Sequence, residues 1–322
     1  MKNFLLMFFA FTTIFSCKKN ENASTEISGK PNTVSIIIDD ELWNGEIGDS
    51  LRNKFASPVI GLPQEEPLFT LNQYPVKLLE GFMSNSRNII IIKKEAKSRF
   101  EIIENKLPKP QNVVYISGKT VLEIQDTIQN NAIKIINKIK ETEINDFQKL
   151  TRKSLLDSKK INKKFNIDIN IPLNYNYVMR RSKFIWLKKE ISSGSVSLIG
   201  YQIAINHIKN EKKQLSQILK TRDSIGHLFI HGSVKNTKML TDVSVSPFFE
   251  KTIINGRPAF ETRGLWQMNN DFMSGPFINY TILDKPHNRI LVLEGFCYAP
   301  SKEKRDLMFE LESIIKSINI LK

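Results

Sequence analysis

Apolar and polar positions divide this chain into segments of different period. Residues 4–15 form a short apolar run behind Met1-Lys2-Asn3, closed by Ser16-Cys17 and an abrupt polar turn at Lys18-Lys19-Asn20. Residues 18–33 hold almost nothing apolar and read as a flexible tether. The fold begins at residues 34–38, a nearly continuous apolar run expected to be a buried strand. Leu42, Trp43, Ile47, Leu51 and Phe55 then recur about once per turn, which predicts a helix capped by Asp39 or Asp40 and weakened by Gly45 and Gly48. Residues 68–73 predict a strand, and Pro75 opens a short helix reaching Phe82. Residues 88–94, with four consecutive isoleucines, carry the strongest strand signal, and 99–104 and 112–117 add two more around the Pro108-Lys109-Pro110 turn.

The pattern changes at residue 120. From there to 165 the chain has neither proline nor glycine, and Val121, Ile124, Ile128, Ala132, Ile135 and Ile139 step along one helical face. A continuous helix would span about 70 Å; a break near 142–145 would make it a hairpin. The apolar stripe is irregular after Phe147, so packing onto both flanking domains is expected rather than a coiled coil. Beyond it, 167–171 alternates, and 183–191 and 196–205 flank a Ser192-Ser193-Gly194 turn. A helix follows over 210–231, then strands at 246–254, 257–266, 276–283 and 289–298, the first two joined by Asn255-Gly256. Residues 301–320 close the chain as an amphipathic helix carrying Leu307, Leu311, Ile314, Ile315 and Ile318, with Ser301 at its N-cap.

These elements predict a mixed α+β protein: a small N-terminal α/β domain, a long connecting helix, and a C-terminal antiparallel sheet with packed helices. The corresponding divisions are 1–17 (leader), 18–33 (tether), 34–118, 119–166 and 167–322.

The leader changes how the rest is read. One lysine before an apolar run too short to span a bilayer is the plan of a secretory signal. Its end, Ile14-Phe15-Ser16-Cys17, resembles the bacterial lipobox, in which the cysteine is lipidated and becomes the first mature residue; Phe15 is larger than that pattern prefers. Cys17 is therefore the expected lipid anchor. The only other cysteine, Cys297, lies between Phe296 and Tyr298 and reads as core, so no disulfide is expected.

Charge adds less than its size suggests. Of the net +14, much is local: residues 149–164 hold Lys149, Arg152, Lys153, Lys159, Lys160, Lys163 and Lys164 against Asp157 alone. Export removes most nucleic-acid partners, and a solvated face or contact with anionic lipid heads explains the run more simply.

Four fragments invite chemical readings. Asp39-Asp40 after a strand resembles the acidic pocket of receiver domains, but no phosphoacceptor strand follows. Gly118-Lys119-Thr120 before a helix matches the end of a phosphate-binding loop, yet Val113 stands where its first glycine belongs, so no nucleotide is expected. His227 and His231 stand four apart and would begin a metal site on one helix face, but no third ligand can be named, and stabilising a helix C-terminus is the favoured role. Arg263 and Trp266, with Asn270 and Asp271, surround a glycine-punctuated stretch read as a candidate binding loop, against the alternative of a structural turn with a buried tryptophan. No cofactor motif is complete.

Residues 34–43, the segment from Phe55-Ala56-Ser57-Pro58 to Pro67-Leu68-Phe69, and the stretch from Gly264-Leu265-Trp266 through Asp271-Phe272-Met273-Ser274-Gly275-Pro276-Phe277 resemble an uncharacterised family of lipoproteins from Bacteroidota-type bacteria, across nearly the whole mature chain. The resemblance implies a domain of unknown function in the cell envelope and supplies no catalytic residues. Lys18, rather than Asp, after the cysteine favours the outer membrane. The expected role is a lipid-anchored binding or assembly module with an envelope protein partner, using the long helix and the stretch from Arg263 to Phe277. An envelope hydrolase with scattered catalytic groups and a polyanion or anionic-lipid binder using residues 149–164 are the alternatives.

Overall fold

The computed structural model describes residues 29–78, 85–106, 110–208, 211–232 and 234–321. The leader and its lipidation residue Cys17, most of the tether, the end of the helix expected after Pro75, and Pro108-Lys109 lie outside the described residues.

The first sheet is built from β1 (Thr33–Ile37), β2 (Thr70–Tyr74), β3 (Asn88–Lys94), β4 (Arg99–Glu104) and β5 (Asn112–Gly118) in the order β2-β1-β3-β5-β4. All neighbours are parallel except β4, which closes one edge antiparallel to β5. Central parallel strands are apolar on both sides, which is why four isoleucines can run together: Ile90 and Ile92 face a helical layer, Ile89 and Ile91 the opposite side.

That layer differs from the single helix expected after β1. The chain forms α1 (Asp40–Trp43), turns at Asn44-Gly45, and restarts as α2 (Glu46–Phe55). A Cβ on Gly48 would stand 1.7 Å from the Trp43 carbonyl oxygen, so the chain at the break passes over a residue that must be glycine. Asp39 occupies the N-cap position of α1, but its side chain makes no capping bond.

The long helix, α3 (Val121–Thr151), is continuous through 142–145 and about 46 Å long. It stops at Arg152, later than the expected hairpin break and short of Phe165, and the chain resumes as α4 (Lys159–Phe165). Ile124, Ile128, Ala132, Ile135 and Ile139 cover the first sheet. One turn further the same stripe carries carboxylates: Glu143 and Asp146 both receive Arg87, at 2.7 and 2.8 Å, and Asn88 donates to Glu143 at 2.7 Å. This buried ion-pair network interrupts the apolar stripe before Phe147, earlier than the irregularity expected after that residue. Past it, Phe147 meets Phe309 edge to face at 6.4 Å, and Gln148 donates to the Ser313 carbonyl.

The second sheet is antiparallel and curls into a half-barrel. Its strands are β7 (Asn176–Arg181), β8 (Phe184–Ile191), β9 (Gly194–Ala204), β10 (Met239–Asp242), β11 (Phe248–Ile254), β12 (Arg257–Met268), β13 (Ser274–Asp284) and β14 (Arg289–Tyr298), in the order β10-β12-β13-β14-β9-β8-β7, with β11 beside the first half of β12. β7 and β10 were not expected. The alternating run at 167–171 shrinks to β6 (Ile167–Asp168), paired with β15 (Asn319–Ile320).

Two helices sandwich this sheet. α6 (Arg305–Ile315) lies on one face against Leu198, Ile278, Tyr280, Leu291, Leu293 and Cys297. α5 (Gln214–Phe229) lies on the other, against Tyr201, Phe260, Trp266, Phe277 and Phe296. Ser301 is not the cap of α6; the helix begins four residues later. Cys297 is fully buried, as expected, and burial pushes its thiol up to about 12.

Candidate functional site

Period-two alternation on β12 puts Glu261 and Arg263 side by side on the α6 face. On α6 and its C-cap, Glu312 and Lys316 are one turn apart and point at the same spot. From the first half of the chain, Asn137 and Lys140 on α3 and the segment 57–68 close over them. Gly61 makes that closure possible: its φ is +85°, and a Cβ there would come within 2.9 Å of Arg263 Cβ. The result is a cleft of about 300 Å³ walled by both halves of the chain.

Its floor is a saturated ion-pair network. The Arg263 guanidinium bridges two carboxylates, Nε to Glu261 at 2.5 Å and Nη2 to Glu312 at 2.9 Å. Lys316 Nζ donates to Glu312 at 2.5 Å, and the Tyr280 hydroxyl to Glu261 at 2.8 Å. Burial alone would raise the Glu312 carboxyl, but Arg263 and Lys316 outweigh it and hold it well below the usual carboxylate range. Burial, then Glu312 and Glu261, pushes Tyr280 well above an ordinary phenol. At neutral pH both groups are thus fixed, one ionised and one protonated, with little capacity to exchange a proton.

Lys140 is the exception. Its ammonium lines the cleft with no hydrogen bond or ion pair to any described residue. Its pKa is lowered, first by burial and then by Arg263 and Lys316, against an opposing pull from Glu312 and Glu261. In the lining three cations, Lys140, Arg263 and Lys316, meet three carboxylates, Glu250, Glu261 and Glu312. Glu250 is the exposed member of the three. A smaller space of about 40 Å³ adjoins, lined by Val59, Leu68, Ile144, Met308 and Phe309 and sharing Lys140, Arg263 and Glu312. A charged, unpartnered donor beside a small apolar recess is the chemistry of anion recognition.

Of the candidate site residues singled out in the sequence, Arg263 alone reaches this cleft. The expected binding loop is not one site. Arg263 and Trp266 lie on β12 itself, an odd number of positions apart, and so on opposite faces of the sheet. Trp266 is buried against Phe296 and donates its indole N–H to the Cys297 carbonyl at 3.2 Å. Asn270 takes a left-handed turn conformation, φ 57°, and Asp271 accepts the backbone N–H of Phe272 at 2.7 Å.

The histidine pair also separates. α5 ends at Phe229, so His231 is off the helix and meets the Thr237 carbonyl oxygen, while His227 contacts Lys238 Nζ. Among the described residues no group of three His, Cys, Asp or Glu side chains comes together to hold a metal ion. At the Gly118-Lys119-Thr120 fragment, Thr120 Oγ1 caps Glu123 N at 3.2 Å, and the Glu123 carboxylate accepts Lys119 N at 2.9 Å. An acidic side chain thus occupies the helix end where a phosphate would sit.

A second polar cluster lies on the α5 face and is closed to solvent. Arg222 Nε stands 3.0 Å from Glu294 Oε1, with its guanidinium 3.9 Å above the Phe277 ring, and Asn279 donates to Glu294 at 2.8 Å. Both charged side chains are almost wholly buried, which makes the pair a core element with no access for a ligand.

Lys140, Glu261, Tyr280, Glu312 and Lys316 were missed in the sequence. The one signal was Glu312 inside the apolar face formed by Leu311, Ile314 and Ile315. A charge within a buried stripe marks a partner elsewhere, here Arg263.

Two family models match the chain, both described as domains of unknown function: DUF8532 over residues 27–152 and DUF4837 over residues 154–317. Their junction coincides with the end of α3. No curated protein matches the chain.

Proposed function

The chain belongs to the DUF4837 family, whose description assigns no activity, and from that premise we propose that it is a lipid-anchored binding module of the cell envelope whose cleft takes a small anion. The anchor rests on the leader and Cys17, with the outer membrane as the expected site. The binding role rests on one observation: Lys140 brings an ammonium into a cleft where no described residue forms an ion pair or hydrogen bond with it. A charge kept partly desolvated and unpaired lowers the stability of a fold, and such costs concentrate where function requires them. The two buried carboxylates are already engaged by Arg263, Lys316 and Tyr280, which leaves the Lys140 ammonium to meet an incoming carboxylate or phosphate. The adjoining recess suits a methyl-sized apolar group, which favours a short carboxylate over a bare inorganic ion. Because the first and second halves of the chain each form part of the wall, occupancy would also tighten them against each other.

Thermal unfolding with phosphate, acetate and succinate tests this reading. An anion at a hundredfold excess over its Kd adds about 2.7 kcal/mol, which raises Tm by several degrees in a chain of this size. Lys140→Met should abolish the response while raising the Tm of the unliganded protein. Wild type and variant responding alike, or no response to any of the three, would overturn it.

A further inference from the structure

A second surface gathers cations that the fold leaves unpaired. The sequence suggests one basic face over 149–164, but the end of α3 divides it. Lys149 turns toward a separate cavity with Lys138 and Glu141, while Lys159, Lys160, Lys163 and Lys164 continue on α4. There they meet a second basic segment that the sequence places elsewhere: Lys164 Nζ donates to the Ser182 carbonyl at 3.3 Å and to that of Arg181, which brings α4 against the β7–β8 turn. Arg180, Arg181 and Lys183 join the patch as exposed side chains. Lys160, Lys163, Lys164, Arg180 and Ser182 line an open depression of about 680 Å³.

The charges here lie together, with no acid in the lining of the depression. Arg87, Lys138, Lys189, Arg257 and Arg263 are each tied to a carboxylate. Lys159, Lys160, Lys163, Arg180, Arg181 and Lys183 make no ion pair to any described residue. The two acids nearby are engaged: Asp157 accepts the backbone N–H of Lys159 and Asp168 the side-chain amide of Asn162. Tyr177 lies between Lys160 and Arg180, whose charged ends sit 6.0 and 5.4 Å from its ring, so this part of the patch has an aromatic floor.

We propose that this α4–β7 face docks onto an anionic lipid bilayer through several headgroups at once. The depression is shallow and wide, its cations are exposed tips rather than a fitted cage, and multipoint contact with a charged plane suits that shape better than capture of one small ion. Lysines and arginines at such a surface each strengthen attraction to acidic headgroups, within about a Debye length. The inference uses no residue of the cleft and does not depend on the leader.

The test uses the chain from Lys18 onward, which contains every element described above and lacks the apolar leader. It is sedimented with vesicles of phosphatidylcholine alone or with about a third phosphatidylglycerol, at about 50 mM and about 500 mM salt. Binding is expected to the acidic vesicles at low salt only. Replacing Lys160, Lys163 and Arg180 together by Gln should weaken it about 100-fold, while the same change at Lys77, Lys235 and Lys302 should weaken it only a few-fold. Equal binding to neutral vesicles, equal losses in the two triple variants, or binding of soluble polyphosphate without binding of acidic vesicles would each overturn the proposal.

Discussion

The Glu66 carboxylate accepts the backbone N–H of Lys304 at 2.8 Å and that of Arg305 at 2.7 Å, so a side chain 238 positions upstream caps the N-terminus of α6. An anionic acceptor here also complements the helix dipole. The contact joins the segment after α2 to the helix that carries Glu312, and so holds two walls of the cleft in place. Glu66→Ala should cost about 1–2 kcal/mol, measured by urea denaturation. Ser301→Ala, at the position the sequence suggests as the cap, should change stability by less than about 0.5 kcal/mol.

Arg222 and Glu294 form a buried pair whose members depend on each other. Burial raises the Glu294 carboxyl, and Arg222 opposes that rise. Replacing either alone, as Arg222→Leu or Glu294→Gln, should cost about 3–5 kcal/mol because the remaining group stays buried and uncompensated. The double variant should lose much less than the sum. A denaturation-based double-mutant cycle reads this, and simple additivity would show that the two do not interact.

How far the sequence reveals this architecture depends on where each residue's partners lie. β3, β4 and β14 are legible to the residue because runs such as 88–94 and 289–298 encode burial locally. β7 is not, since it is an edge strand with a mostly exposed, polar sequence. The end of α3 is hidden because no proline or glycine marks it; the chain stops where residues 154–156 pair with 171–173. Lys140 follows the buried Ile139 in an ordinary helical pattern, and its environment comes from segments far away in the chain. The separation of Arg263 from Trp266 was readable by alternation from the strand expected over 257–266, which holds both residues.

Stability should fall on the acid side through Glu312. Its folded-state pKa lies below that of the unfolded chain, about 4.3, so its contribution is complete above that value and is lost as pH falls below it. Glu312→Gln should therefore be less stable than wild type near neutrality, with the gap narrowing toward about pH 3. Denaturant unfolding across this range checks it; a pH-independent gap would contradict the assigned charge state.

The two cysteines should behave oppositely. In producing cells, Cys17→Ala should lose incorporation of labelled fatty acid and leave the membrane fraction; a labelled, membrane-bound variant would refute the anchor. Cys297, buried with its thiol pushed up to about 12, should stay unmodified by alkylating reagents until the protein unfolds.

The account turns on Lys140 as an unpaired amine facing a ligand. Competitive acetylation of the folded protein across the alkaline range, read peptide by peptide by mass spectrometry, reports the titration of each lysine with and without succinate. Lys140 should titrate below the ordinary lysine range, and succinate should raise its pKa and slow its labelling while leaving the labelling rate of surface lysines remote from the cleft unchanged. Lys140 titrating in the ordinary range, or labelling at the same rate with and without the anion, would contradict the account.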